Sequence, residues 1–324
     1  MTKVDIISGF LGAGKTTFIK KLVNEVYQGQ KIVLIENEFG EIGIDGTFMN
    51  NAGIEVTEIN SGCICCSLVG DFEASLKEVL TTYDPDRIII EPSGVGKLSD
   101  VIKAVNDVND EKLILDNYIA VIDAKKCRLY TKNFGEFFNN QIKYASAIIL
   151  SRTQDISEFQ LDECLKIIND HNNKANIITT PWNQLTKETI ISAFSNSDNL
   201  HNELLNQLDI CPECGHHHDH EHHHHHEHHH ADEIFTSWSK QTPKKYSKEQ
   251  INNILKKLSV DSNFGNILRA KGFVDSSEGD WWYFDLVPGE YEIRTGKADF
   301  TGRICVIGEK LDQSKLDILF DEAV

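Results

Sequence analysis

GFLGAGKT, residues 9–16, follows the apolar run VDIIS (4–8) and opens the amphipathic stretch KTTFIKKLVNEVYQ (15–28). It matches the pattern G-x-x-x-x-G-K-[ST] through Gly9, Gly14, Lys15 and Thr16, with a strand before it and a helix after it. In that setting the pattern builds a phosphate-binding loop. Small residues at Gly9, Gly12, Ala13 and Gly14 let backbone N–H groups close on phosphate oxygens, and the helix N-terminus adds partial positive charge. Lys15 is expected to reach the β- and γ-phosphates, Thr16 to ligate Mg²⁺, and Thr17 to reach the α-phosphate.

Outward from this loop, short apolar runs alternate with longer amphipathic stretches. The runs are KIVLIEN (31–37), RIIIEP (87–92), NYIAVID (117–123), SAIILS (146–151) and ANIITT (175–180). β-Branched residues dominate them, as in strands buried on both faces. Helical stretches such as GDFEASLKEVLTTY (70–83) fall between. The fold class is α/β: a P-loop NTPase parallel sheet with helices on both faces, over residues 1–205.

The composition then breaks. CPECGHHHDHEHHHHHEHHH (211–230) holds twelve of the fourteen histidines, and no packed core can be made of it. Residues 206–232 therefore read as an exposed, disordered linker. From residue 233 to 324 a small α+β domain is expected: IFTSWSKQ, a helix around SKEQINNILKKLS, ILRAKGFV, DWWYFDLVPGEYEIR, GRICVIGEK and a final helix. Trp281 and Trp282 read as core or groove-lining aromatics.

A formal charge of −18 argues against nucleic acid as a partner, because phosphate backbones need a basic face. It does not exclude a nucleotide, whose phosphates are held locally. No run of eighteen apolar residues is present, so no membrane span is expected, and the N-terminus lacks the signal-peptide pattern. The expected location is cytoplasmic. Eight cysteines in a reducing compartment are read as ligands, core residues or redox groups before disulfides.

Two further segments bear on a nucleotide. RIIIEPSG ends a strand at Glu91 and continues to Gly94, the places of a Walker-B acid and a γ-phosphate-sensing glycine. After SAIIL come Ser151, Arg152, Thr153 and Gln154, where guanine-specific enzymes carry N-K-x-D. An amide oxygen on Gln154 can accept one of the two bonds guanine offers. The negative charge is missing, and Asp155 lies one residue late.

GFLGAGKTT, ENEFGEIGID (36–45), GCICC (62–66) and EPSG (91–94), in this order and spacing, resemble the CobW-like family of metal-handling P-loop GTPases. These are relatives of the nickel-insertion GTPases of urease and hydrogenase maturation. ILRAKGFV, the Trp-rich strand and GRICVIG resemble that family's C-terminal domain. The resemblance implies that Cys63, Cys65 and Cys66 bind a transition metal beside the nucleotide. Three soft thiolates suit Zn²⁺ and leave a tetrahedral position open for exchange, although Co²⁺ and Ni²⁺ share these donors. Glu38 and Asp45 match family positions near Mg²⁺ and the transferred phosphate, whereas Glu41 reads as a solvated carboxylate.

The function implied is slow GTP hydrolysis coupled to metal release. GTP and Mg²⁺ order segment 36–45, and hydrolysis relaxes it and passes the metal, zinc before cobalt or nickel, to a client metalloprotein. Lys15, Glu38, Asp45 and Glu91 are its catalytic candidates. Nucleotide-dependent dimerisation rests on the resemblance alone. The linker supports metal handling independently, through Cys211 and Cys214 at C-x₂-C spacing followed by His216, His217 and His218. Cys127, Cys164 and Cys305 read as structural. The rivals are a cobalt carrier linked to cobalamin metabolism and a nucleotide-regulated metal store or sensor.

Overall fold

The computed structural model describes residues 1–36, 55–58, 69–194, 234–276, 279, 281–298 and 301–321; of 55–58 and 69–71 it fixes the backbone alone. Glu38, Glu41, Asp45, Cys63, Cys65, Cys66, Cys211, Cys214, His216, His217 and His218 lie outside the described residues. Two compact units are present.

The first unit runs β1 (Thr2–Ser8), α1 (Lys15–Lys21), β2 (Ile32–Glu36), β3 (Glu55–Glu58), α2 (Val69–Tyr83), β4 (Arg87–Glu91) and α3 (Leu98–Asp107). It continues with β5 (Leu113–Asp123), α4 (Cys127–Lys143), β6 (Ala147–Ser151), α5 (Glu158–His171), β7 (Asn176–Ile178) and α6 (Lys187–Phe194). All seven strands pair in parallel, in the order β3-β2-β4-β1-β5-β6-β7. Ile88, Ile89 and Ile90 of β4 are wholly buried. A central strand covered on both faces needs such an unbroken apolar run, and each side chain contributes roughly 1.5–3 kcal/mol. On one face α1 and α6 pack in a core with Ile7, Leu34, Ile89 and Val121. On the other, α3 contacts β1 and β5, and α4 contacts β5.

The apolar runs fall on strands as expected, with β5 beginning earlier, at Leu113. The first helix departs from expectation: after Lys21 the chain widens into a π-helical turn, Leu22–Val26, with the Tyr27 N–H on the Leu22 carbonyl at 2.9 Å. Strand β3 was not among the expected runs, being four residues with two glutamates (EVTE).

Strand order places the site. The chain leaves β1 for β2 on one side, and from β4 crosses β1 to reach β5 on the other. Ligands in such sheets bind outside the carboxyl ends of the strands where this reversal occurs. The loop after β1 stands there.

The second unit comprises β8 (Phe235–Thr242), β9 (Lys245–Tyr246), α7 (Lys248–Val260), β10 (Asn266–Ser276), β11 (Trp281–Val287), β12 (Glu290–Gly296), β13 (Gly302–Glu309) and α8 (Gln313–Asp321). Its sheet is antiparallel in the order β12-β11-β10-β13-β8, with β9 added in parallel to β10. Helix α7 starts at a capping box in which the Ser247 hydroxyl accepts from the Gln250 N–H, a device that satisfies two orphan donors. Ile251, Ile254, Leu255 and Leu258, at helical spacing, form one core with Trp238, Trp282, Phe284 and Phe320. Trp282 is a core residue, and Trp281 is half-buried beside Phe273.

Candidate nucleotide site

The loop after β1 owes its shape to three glycines at positive φ: Gly9 at 149°, Gly12 at 73° and Gly14 at 102°. A side chain on Gly9 would collide with the Val121 carbonyl. Phe10, inside the loop, is buried against Tyr130, Phe134 and Phe138 of α4, with ring centroids 4.6, 5.5 and 6.0 Å away. That anchor fixes the loop on its inner side. Gly14 is the N-cap of helix α1, and its carbonyl accepts from the Phe18 N–H at 3.0 Å.

Lys15, Thr16 and Glu91 come together. The Thr16 hydroxyl stands 3.3 Å from both Glu91 oxygens, and Lys15 Nζ stands 3.8 Å from Glu91 Oε1. The lysine is buried and the carboxylate nearly so. A hydroxyl and a carboxylate converging beside a phosphate loop are hard oxygen donors, the kind Mg²⁺ takes together with phosphate oxygens. The donor set therefore fits the metal expected there. Thr17 is exposed on α1, and Gly12 and Ala13 lie in the loop before it. Gly94 packs on the loop at Leu11, and its carbonyl accepts from Gln141 Nε2 at 3.2 Å.

Two carboxylates here were not singled out from sequence. Glu36 ends β2, buried, in register with Glu91 across β2 and β4. Its signal was its place as first residue of ENEFGEIGID. Asp123 ends β5, and its carboxylate stands 3.3 Å from Arg152 NH1. Burial pushes the Asp123 carboxyl up, against the cations of Arg152 and Lys126.

The segment after β6 is described in full. Ser151 is buried with its hydroxyl on the Ile122 carbonyl at 3.4 Å, so it ties β6 to β5. Arg152 takes the left-handed conformation, φ 57°, which few non-glycine residues adopt. That turn starts a 3₁₀ helix, Thr153–Asp155, on which Gln154 is exposed. Trp182, after β7, joins this segment to the phosphate loop. Its indole N–H donates to the Leu150 carbonyl at 2.9 Å, and its ring covers Gly14 and meets Phe18 at 5.7 Å. No local motif marks this tryptophan.

Among the described residues, no group of three or more His, Cys, Asp or Glu is placed to hold a metal ion, and no helix is long and apolar enough to cross a membrane. Cys127, Cys164 and Cys305 are buried. Cys127 and Cys164, far apart in sequence, meet in space. Their mutual hydrogen bond and then burial push the Cys127 thiol up, away from the thiolate form that metals and electrophiles need.

Residues 3–179 match the family model described as CobW/HypB/UreG, nucleotide-binding domain, and residues 235–324 match Cobalamin synthesis protein cobW C-terminal domain. Zinc chaperone YjiA of Escherichia coli (strain K12) is 34% identical over 174 residues, which is 51% of this chain and 54% of the relative. Zinc-regulated GTPase metalloprotein activator 1 of Schizosaccharomyces pombe is 27% identical over 316 residues, 90% of this chain and 76% of the relative. The solved Zn(II)-bound YjiA GTPase from E. coli has a TM-score of 0.44 at 20% identity, covering 100% of this chain and 99% of that one. The chain spans about half the length of the first curated relative it matches. With its nucleotide-binding domain matched over more than half the chain, and its C-terminal domain matched besides, this protein belongs to the CobW/HypB/UreG family.

Proposed function

We infer that the chain is a GTP-hydrolysing metallochaperone that carries zinc on Cys63, Cys65 and Cys66 and releases it to a client metalloprotein. The observation that carries this reading is the convergence of Thr16 and Glu91 at 3.3 Å, beside Lys15, at the carboxyl edge of the sheet. Strand β2 ends at Glu36, in register with Glu91 and with Glu58, the last residue of β3; segment 36–45 and the three cysteines come next after β2 and β3 in the sequence. That order along the chain supports a role beside the nucleotide for both segments. The names of the relatives, zinc chaperone and zinc-regulated GTPase metalloprotein activator, support zinc as cargo.

In this reading Lys15 neutralises β- and γ-phosphate charge. Thr16, with Glu91 beside it, holds Mg²⁺, which when bound neutralises charge developing on the transferred phosphoryl group. Glu38 and Asp45 order the switch segment in the triphosphate state. The Cys211–Cys214 pair and His216–His218 collect metal.

The test is zinc affinity by competition with a chromophoric chelator. It uses the full chain and a variant lacking 211–230, each with GDP or a non-hydrolysable GTP analogue. Tighter zinc in the triphosphate state, abolished by Cys65→Ser with Cys66→Ser, supports a releasable site. Equal affinity in both states sinks timed release and leaves storage or sensing.

A further inference from the structure

Gln141 of α4 is wholly buried, and its Nε2 donates to the carbonyls of Gly94 and Gly96 at 3.2 and 2.9 Å. Its Oε1 has no hydrogen-bond partner among the described residues. A flipped amide would set that oxygen against two carbonyls, so the nitrogen is the atom on the turn. A buried acceptor without a partner costs stability, which makes the amide a poor side chain for packing alone. The same helix seats Phe10 of the phosphate loop on Tyr130, Phe134 and Phe138. One residue before Gln141, Asn140 Oδ1 accepts from the Ser99 N–H at 3.2 Å. Helix α4 thus holds the phosphate loop, the turn after Glu91 and the start of α3 together.

The turn's own bonding sets where the Gly94 N–H points. The Ser93 carbonyl accepts from the Gly96 N–H at 2.9 Å, inside the turn. A trans peptide sets its N–H opposite its C=O, so the Gly94 N–H points out of the turn. Gly94 is buried, and this N–H has no hydrogen-bond partner among the described residues. Buried backbone donors rarely stay unpaired. Glycine has no side chain to restrain its backbone, but here the bonds to the Ser93 and Gly94 carbonyls fix the peptide planes on both sides of it.

We propose that Gln141 is a positioning residue for the triphosphate: it holds the turn so that the Gly94 N–H meets a γ-phosphate oxygen, and it thereby sets the preference for GTP over GDP. GDP lacks that phosphoryl group and gains nothing from the clamp. Gln141 acts through Gly94, not by touching the nucleotide.

This rests on the nucleotide reading above, and the test separates the two. The full chain with Mg²⁺ is titrated with fluorescent GDP and with a fluorescent non-hydrolysable GTP analogue, and single-turnover GTP hydrolysis is followed alongside. Gln141→Met keeps the volume and removes the donor. It is expected to weaken the triphosphate analogue about tenfold while GDP changes by less than about threefold, on the scale of lost buried hydrogen bonds. Hydrolysis slows by about tenfold as the aligned donor is lost. Thr2→Val is the structural control. It removes a buried bond of the same kind, Thr2 Oγ1 on the Pro85 carbonyl at 2.7 Å, at the opposite edge of the sheet. It lowers the urea midpoint and leaves the triphosphate-over-diphosphate ratio as it was. In native protein, hydrogen exchange of the peptide spanning 92–97 slows with the triphosphate analogue and not with GDP, a readout that needs no variant to fold.

A triphosphate-over-diphosphate ratio unchanged in Gln141→Met, whether or not both affinities fall, overturns the proposal and leaves a structural bond. So does exchange over 92–97 that is alike in the two nucleotide states. Lys15→Ala, expected to weaken both nucleotides, checks that binding uses the phosphate loop. Failure of native protein to bind either nucleotide overturns the nucleotide reading as well.

Discussion

Gly94 lies so close to Leu11 that a Cβ on it would stand 2.7 Å from Leu11 Cδ2 and 3.0 Å from the Leu11 backbone nitrogen. The strand-end turn after Glu91 and the phosphate loop are therefore in backbone contact. Gln141 clamps the turn from behind by donating to the Gly94 and Gly96 carbonyls at 3.2 and 2.9 Å. Gly94→Ala cannot be absorbed by side-chain rotation alone, because the near neighbours include main chain. It is expected to displace the loop and weaken GDP and GTP binding by about tenfold or more, since small misplacements near a site are costly. Fluorescent-nucleotide titration reads it. Unchanged affinity would show that the turn yields instead of the loop.

Glu91→Gln keeps the shape and removes the charge beside Thr16 and Lys15. Turnover is expected to fall about a hundredfold, by loss of metal-supporting charge, with a smaller change in GDP affinity. Single-turnover phosphate release with parallel Mg²⁺ titration checks it. A rate unaffected at saturating Mg²⁺ would reduce Glu91 to a counter-ion of Lys15.

Trp182 offers a graded series. Trp182→Phe keeps most of the contact with Gly14 and Phe18 but loses the hydrogen bond to Leu150, an expected loss of about 1 kcal/mol. Trp182→Ala also strips apolar cover from Phe18, which is wholly buried, for an expected total of about 3 kcal/mol. Urea denaturation gives the stability and nucleotide titration the affinity. Equal losses in the two variants would assign the whole effect to the hydrogen bond.

What was legible in the sequence follows from how local each signal is. The phosphate loop works through its own backbone, so eight consecutive residues suffice to announce it. Runs such as RIIIE announce central strands because burial on both faces leaves no polar position. Trp182 acts on Gly14 and Leu150, far off in the chain, and nothing near TPWNQ hints at either. Glu36 and Asp123 gain meaning only when parallel pairing brings strand ends to one edge. Gln154 stood out as a departure from a pattern, but its orientation depended on where Asp155 turns its carboxylate. Asp5, inside VDIIS, carries no local signal of its role. Its partners Arg87 and Asn117 lie 82 and 112 residues away.

That buried group supports a prediction about pH. Arg87 NH1 stands 2.7 Å from Asp5 Oδ2 and 2.9 Å from Asp116 Oδ2, and Lys3 Nζ stands 3.0 Å from Asp116 Oδ1. Burial pushes the fully buried Asp5 carboxyl up, in spite of Arg87, Tyr27 and Asn117. Burial also pushes Asp116 up, but hydrogen bonds from Lys3 and Arg87 outweigh it and hold that carboxyl below its ordinary value of 3.8. The two therefore act in opposite senses. The Asp116 contribution is present above its unfolded pKa and is lost as pH falls through the lower folded one. The Asp5 contribution is largest below its unfolded pKa and declines as pH rises through its folded one. Asp116→Asn isolates the first: a loss of about 1 kcal/mol at neutral pH, closing toward zero as pH falls below the ordinary carboxylate value. Arg87→Ala leaves Asp5 buried without its cation, and is expected to cost about 3–5 kcal/mol where Asp5 is ionised. Protonation of Asp5 relieves part of that cost in acid. Urea midpoints at several pH values from 7 down to 3 give both curves. An Asp116→Asn deficit that does not change with pH would mean that the side chain contributes packing and no charge.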